Sequence, residues 1–198
     1  MKPIEEDEMV LDFLQAEFFS SRFSKFIQGL IQKNKVDERI ILEPNLKSTR
    51  ENNIRKSVLK DFRGDSTKWL FTGLPADTKW YTKELLRNEI LKIQYSTYTY
   101  WMTLSNNTRS PVEAAKMIKS GQEIYGQPND LFWDIARDIK KGKKFARLIC
   151  LTTSKNAPLI LMEGHSRLTA YALLPNYIPD KLEVIVGISP NMSSWGLF

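Results

Sequence analysis

The residues of this chain best placed to do chemistry lie in one segment, Leu159-Ile160-Leu161-Met162-Glu163-Gly164-His165-Ser166-Arg167-Leu168-Thr169-Ala170-Tyr171. An apolar run of strand character passes directly into a run of helical spacing. Such a turn favours an anion, because the first amides of a helix lack an internal acceptor and the aligned peptide dipoles add partial positive charge there. Gly164 permits a positive φ or a close backbone approach. Ser166 adds a hydroxyl, His165 (the only histidine) a ring donor, and Arg167 a planar fork suited to phosphate. Together these predict a phosphate cradle made of Gly164, His165, Ser166 and Arg167. Glu163 is placed to help hold Mg²⁺, which keeps few protein ligands when phosphates supply the rest. Each residue also has a structural alternative: a strand-end charge, a core histidine, an N-cap, a surface ion pair.

The elements that must position this turn are read from periodicity and punctuation. Val10, Phe13, Leu14 and Phe18 recur at helical spacing, as do Phe23, Phe26, Ile27, Leu30 and Ile31, and Asn34-Lys35 ends that pattern. Arg39 to Leu42 reads as a short strand stopped by Pro44. Thr49 to Phe62 reads as a polar helix with Gly64 as its C-cap. Trp69, Phe71, Trp80, Tyr81, Tyr95, Tyr98, Tyr100 and Trp101 make the middle aromatic, which suits core packing or stacking platforms for bases. Thr82 to Ile93 has helical spacing through Leu85, Leu86, Ile90 and Ile93, while Tyr95 to Leu104 fits strand or helix. Ser110-Pro111 opens a helix to about residue 120. Beyond it come a weak strand at Gln122–Tyr125, a helix capped by Asn129 or Asp130 and ending at Gly142, and a strand at Arg147–Thr152. A Ser154-Lys155-Asn156 turn, a strand at Pro158–Met162, a helix at Ser166–Leu174 and a strand at Lys181–Ile188 complete the chain. The fold class is α+β: a mainly helical segment over 1–110 packed on a small mixed-sheet domain over 111–198.

From Arg137 to Ile188 the chain resembles the ParB/sulfiredoxin superfamily: a helix ending at Gly142, two strands joined by a turn, a Gly-His-Ser-Arg motif opening a helix, and a closing strand. ParB-type domains carry Gly-Glu-Arg-Arg there, and sulfiredoxins carry Gly-Cys-His-Arg. ParB-like free serine kinases carry Asp-Gly-His-Thr-Arg, from which Glu163-Gly164-His165-Ser166-Arg167 differs conservatively at two positions. The first two-thirds is similar to bacterial and phage-type proteins that carry this domain. The resemblance implies a bound nucleotide (ATP, ADP or CTP) with Mg²⁺, and a phosphotransferase or nucleotide hydrolase activity. In the kinase-like branch an upstream glutamate acts as base, for which Glu123, Glu113 and Asp130 are candidates and Glu123 is preferred. Sulfinic acid reduction is not expected, because position 166 is Ser and the single cysteine, Cys150, lies on the preceding strand. A chromosome-partitioning role is not expected either, since the double Arg is missing and no helix-turn-helix follows Ile188.

Composition bounds the remaining readings. The 198 residues are 42% hydrophobic and 26% charged, ordinary for a globular chain of one domain or one domain with an appended segment. There is no apolar run of membrane-spanning length and no apolar leader, so a cytoplasmic location without a membrane role is expected. One Cys and one His exclude disulfide frameworks and zinc clusters built from them. A net charge of +6 and five Lys/Arg within 140–147 make nucleic acid a second class of partner, as a binding module or nuclease. That run also reads as a solvated helix end, with cations near the C-terminal dipole. A third reading is a non-catalytic regulatory protein with a decayed site. Arg50 to Arg55 and Ser105 to Ser110 are polar, Arg-bearing stretches that suit capping or contacts to a ligand over the cradle. The tail Ser194 to Phe198 suits packing on its own chain or on a partner. No oligomeric state follows from the sequence.

Overall fold

The computed structural model describes residues 1–20, 22–64, 70–71 and 73–198; Trp69 lies outside the described residues. The N-terminal half supplies β1 (Lys2–Ile4), α1 (Glu6–Phe18), α2 (Ser24–Lys33), α3 (Arg39–Leu42), α4 (Thr49–Leu59, continued as a π-helical turn over Lys60–Gly64), β2 (Lys79–Leu86), α5 (Arg87–Ile90), β3 (Gln94–Tyr95) and α6 (Thr99–Leu104). Then come α7 (Pro111–Lys119), α8 (Asp130–Lys140), β4 (Ile149–Thr152), β5 (Ile160–Glu163), α9 (His165–Leu173) and β6 (Lys181–Ile188). The strands form one six-stranded sheet in the order β1-β2-β6-β4-β5-β3. The β6–β4 and β5–β3 pairs are parallel and the others antiparallel, so the sheet is mixed, which is consistent with an α+β chain. A division at residue 110 separates β1–β3 from β4–β6, and the two halves share this sheet.

Alternation along the strands builds two cores. Ile149, Leu151, Ile160, Met162 and Ile185 face a cluster with Val10, Phe13, Leu14, Ile27, Ile31, Ile41 and Val58 of α1–α4. Cys150, Leu161, Val184 and Val186 face a second cluster with Leu104, Ala114, Ala115, Phe132, Ala136 and Leu168 of α6–α9. Both faces of β4 and β5 are therefore covered, which explains why these strands read as continuous apolar runs. Trp80 and Tyr95 are buried members of these cores, and Tyr100 and Trp101 pack half-buried against the second. The aromatic middle is core packing to that extent.

Four expectations about elements are corrected. Arg39–Leu42 is a helical turn, not a strand: the Asp37 carboxylate accepts the Arg39 amide at 2.8 Å, and the turn buries Ile40 and Ile41. Local capping and burial override β-branched propensity there. Residues 82–86 lie in β2, paired along its length with β6, and only Arg87–Ile90 turns helically. The helical spacing of Leu85, Ile90 and Ile93 arises because strand and turn enter one core cluster. Gln122–Tyr125 is a turn with one bridge, Ile124 to Gln127, because Tyr125 (φ 53°) and Gly126 (φ 65°) both adopt the left-handed region of a type I′ turn. Asn129 stands at the start of α8 but donates its amide to the Gln122 carbonyl instead of capping the helix. The Ser110 cap of α7 is present, its hydroxyl accepting the Glu113 amide.

Candidate functional site

The apolar run of β5 delivers Glu163 to the strand's end, and α9 begins two residues later. Between them Gly164 holds φ 104° and ψ 21°, a conformation open to glycine and strained for other residues. It is the N-cap of α9, so the sequence-expected start at Ser166 moves back to His165 and Ser166 is the second helical residue. Among the described residues no acceptor meets the amides of His165, Ser166 or Arg167, and the cap supplies none. Arg167 folds back across the turn: its Nη2 donates to Glu163 Oε1 at 3.2 Å. A Cβ on Gly164 would lie 3.0 Å from Nη2 and 3.2 Å from Nε. It would lie closer still, 2.4 Å, to Leu148 Cδ2, so this backbone is framed by an apolar core side chain as well as by a guanidinium and its carboxylate partner.

His165 faces the other way. Its ring stacks on Trp101 (centroids 4.9 Å, 23° between planes) and on Tyr95 (5.8 Å, 21°). Its Nε2 is 2.9 Å from Ser96 Oγ. Burial pushes its pKa down to about 3, with the charge of Arg167 adding to the shift. A neutral, stacked imidazole is an anchor for the turn. Thr169 Oγ1 donates to the His165 carbonyl at 2.8 Å, so the Tyr95 hydroxyl, 2.6 Å from that oxygen, donates to Thr169. This chain of bonds fixes α9 to β3. The Ser166 hydroxyl makes no hydrogen bond among the described residues and is half-buried.

The carboxylate that feels the charge of Glu163 is not Glu123. Glu123 is exposed on the turn after α7, with no ion pair or hydrogen bond to the 163–167 turn among the described residues. The carboxylate is Glu17, at the end of α1 and 6% exposed. Burial pushes its pKa up to about 7; Glu163 raises it further, and Arg63, Arg167 and Arg22 oppose the shift. The charges of Glu163, Arg63, Arg167 and Arg22 thus all act on Glu17. Sequence reasoning missed Glu17, Arg22 and Arg63. A signal for Glu17 exists: it occupies the stripe of Val10, Phe13, Leu14 and Phe18, so helical spacing alone places a carboxylate on a buried face.

The Glu17 shift has a consequence for stability. Between its ordinary 4.5 and about 7 the native state holds more proton at this site than the unfolded chain. The associated stability is present below the lower value and is lost as pH rises through the upper one. His165 runs oppositely: depressed from 6.5 to about 3, it contributes stability above 6.5 that is lost as pH falls. A Glu17→Gln variant isolates the first effect. Its unfolding free energy, less that of the unaltered chain, is expected to grow by on the order of 2–3 kcal/mol from pH 5 to 8. Urea titrations at several pH values check this, and a flat difference would refute it.

The basic run near 140–147 is largely engaged. Arg147 pairs with Glu8 at 2.9 Å, Asp12 at 2.5 Å and Glu183 at 3.0 Å, tying α1 to the sheet. Lys143 pairs with Asp138 at 2.8 Å, and Lys140 lies over the Tyr177 ring. Lys141 and Lys144 of the same run are exposed. Arg55 is wholly buried in structural bonds, and Arg109 Nε donates to the Tyr95 carbonyl at 2.6 Å. The tail packs on its own chain: Trp195 is buried, and its Nε1 donates to the Leu70 carbonyl. Among the described residues no helix is long and apolar enough to cross a membrane. Comparison of the chain with protein-family models, with curated proteins and with solved structures finds no match.

Proposed function

We propose that this chain binds a nucleotide by its phosphates in the manner of ParB/sulfiredoxin-like proteins, with Glu163 to Arg167 as the cradle. The observation that carries the reading is the turn itself. A left-handed glycine caps α9, leaves three amides without acceptors, and has a guanidinium lying over it. The local order α8, β4, β5, α9, β6, with β4 antiparallel to β5 and parallel to β6, supports the family assignment.

The residues divide into two roles. Gly164, Ser166 and Arg167 bind: amides and hydroxyl take phosphate oxygens, and Arg167 exchanges its single 3.2 Å bond to Glu163 for a bidentate phosphate contact. His165 positions the turn from its aromatic stack. For transfer or hydrolysis the turn's own carboxylate is Glu163; Glu17, which feels its charge and is held up near neutrality, suits proton exchange. Among the described residues no three metal-ligating side chains converge, so an all-protein metal cage does not fit. A Mg²⁺ carried in on phosphates needs one or two carboxylates, and Glu163, freed by Arg167, fits that need. When bound, such an ion would neutralise phosphate charge.

The test is thermal unfolding with ATP, ADP, CTP and GTP at millimolar levels, with and without Mg²⁺. A ligand at a hundredfold excess over its Kd stabilises by about 2.7 kcal/mol, an upward Tm shift of roughly 5–10 °C for a chain this size. Arg167→Ala is expected to abolish the shift. Arg137→Ala, which breaks only the exposed pair with Asp134, is expected to keep it. No shift with any of the four nucleotides in a folded sample rejects the reading.

A further inference from the structure

We propose that Arg109 is a positioning residue for the 163–167 turn: it holds the edge strand that carries the partners of His165, and through His165 it fixes where the first amides of α9 point. The role rests on the phosphate reading of those amides. β3 is two residues long, pairs only with β5 and stands at the edge of the sheet, so its own ladder holds it weakly. Arg109 closes the other side. The Tyr95 amide donates to the Arg109 carbonyl at 2.8 Å, and Arg109 Nε donates to the Tyr95 carbonyl at 2.6 Å. A guanidinium thus stands where a neighbouring strand would present a peptide amide. Tyr95 stacks on His165 at 5.8 Å, and the next residue, buried Ser96, has its Oγ 2.9 Å from His165 Nε2. His165 is the first residue of α9. Each link from Arg109 to the acceptor-free amides is therefore a direct contact or a step to the next residue.

The arrangement is unfavourable in itself. Arg109 meets Tyr95 with backbone and side chain at φ 61°, after Asn106 at 51° and Asn107 at 60°. Asparagine tolerates this left-handed region, whereas arginine adopts it rarely. The Arg109 amide donates to the buried Ser105 Oγ at 3.1 Å, which ties the strained residue to the end of α6. Among the described residues no carboxylate lies within ion-pair distance of its guanidinium. Its Nη2 is buried without an acceptor, and desolvation lowers its pKa. Backbone strain and a half-buried, unpaired charge both oppose stability. An arginine kept against both, one bond from the strand that grips His165, fits a residue whose use is to hold the turn.

Arg109→Gly tests this, because glycine accepts φ 61° without strain and removes only the side chain. Relief of strain offsets the lost bond, so Tm is expected to stay within about 3 °C of the unaltered chain. Calorimetric titration of the full chain with ATP, ADP, CTP and GTP is expected to show about tenfold weaker nucleotide binding, the worth of one charged hydrogen bond. His165 is the only histidine, so its ring nitrogens give the only imidazole signals in a nitrogen NMR spectrum. One neutral tautomer is expected in the unaltered chain, and exchange between two in Arg109→Gly. Arg109→Lys keeps one donor for the Tyr95 carbonyl and is expected to restore the single tautomer and most of the affinity. Weaker binding together with altered imidazole signals in Arg109→Gly upholds the role. Unchanged binding, or weaker binding with the imidazole signals unchanged, overturns it and leaves the cradle standing. No nucleotide bound by the unaltered chain overturns the nucleotide reading and the positioning role with it. Should Arg109→Gly fail to fold, Arg109→Gln carries the same comparison.

Discussion

Arg55→Met is expected to cost about 3–5 kcal/mol and to lower Tm by roughly 10 °C or more. Arg55 sits in α4 with its side chain at 0% exposure. Its Nη1 donates to the Ile40 carbonyl at 2.7 Å and to Glu51 Oε2 at 3.2 Å. Its Nη2 donates to the Asn45 carbonyl at 3.2 Å and to the Asn52 side-chain oxygen. One guanidinium thus joins α3, the loop after it, and the face of α4. Methionine restores much of the stem's volume but none of the donors. Two carbonyls and the Asn52 oxygen then lose their partner, at roughly 1–3 kcal/mol for each that water does not reach. Glu51 loses less, because the Asn45 amide still donates to it. Lysine keeps a charge but cannot present the fork, so Arg55→Lys is expected to recover only part of the loss. Urea or thermal unfolding checks the prediction. A Tm within about 3 °C of the unaltered chain would show that these acceptors find water in its absence.

Arg55 also shows where sequence reading stops. In the sequence it belongs to a polar stretch, Arg50 to Arg55, with nothing to mark one arginine as the buried one. Asn45, Asn52 and Ile40 decide its fate, and they meet only after α3 and α4 pack on α1. The same contrast runs through the fold. β4, β5, α9 and β6 were legible because each has its own local signal: apolar runs covered on two faces, a turn between them, a glycine at the helix start. β1 carried none, since Lys2-Pro3-Ile4 is a strand only by pairing with Trp80–Thr82 of β2. β2 was disguised because its burial depends on β6, a hundred residues away. The site divides likewise. The turn from Glu163 to Arg167 is contiguous, so it can be singled out from residue types. Glu17, Arg22 and Arg63, whose charges act together with those of Glu163 and Arg167, come from α1, from the segment after it, and from the end of α4, and local sequence does not relate them. The readings of Glu123 and His165 show the converse: a plausible residue type near a motif says nothing about which way the chain turns it.

Gly164→Ala is the change expected to strike fold and function together. At φ 104° an alanine is strained by about 1–3 kcal/mol before any contact is counted. Its Cβ would then stand 2.4 Å from Leu148 Cδ2 and 3.0 Å from Arg167 Nη2. Leu148 is 1% exposed in a packed core and has little room to retreat, so relief must come from the turn itself. Rotating the turn redirects the amides of His165 and Ser166, and pushing Arg167 aside breaks its pair with Glu163. The expected loss is about 3 kcal/mol or more of stability, together with the nucleotide-dependent Tm shift. Gly142→Ala separates the causes, because Gly142 has φ 82° but no atom within 4 Å of a new Cβ. It carries the backbone strain without the collision, so about 1 kcal/mol and an intact ligand response are expected. The difference between the two variants measures how closely Arg167 and Leu148 press on the turn. If both cost the same and both keep the response, the backbone at Gly164 is an ordinary helix cap and the amides beyond it are not held for a ligand.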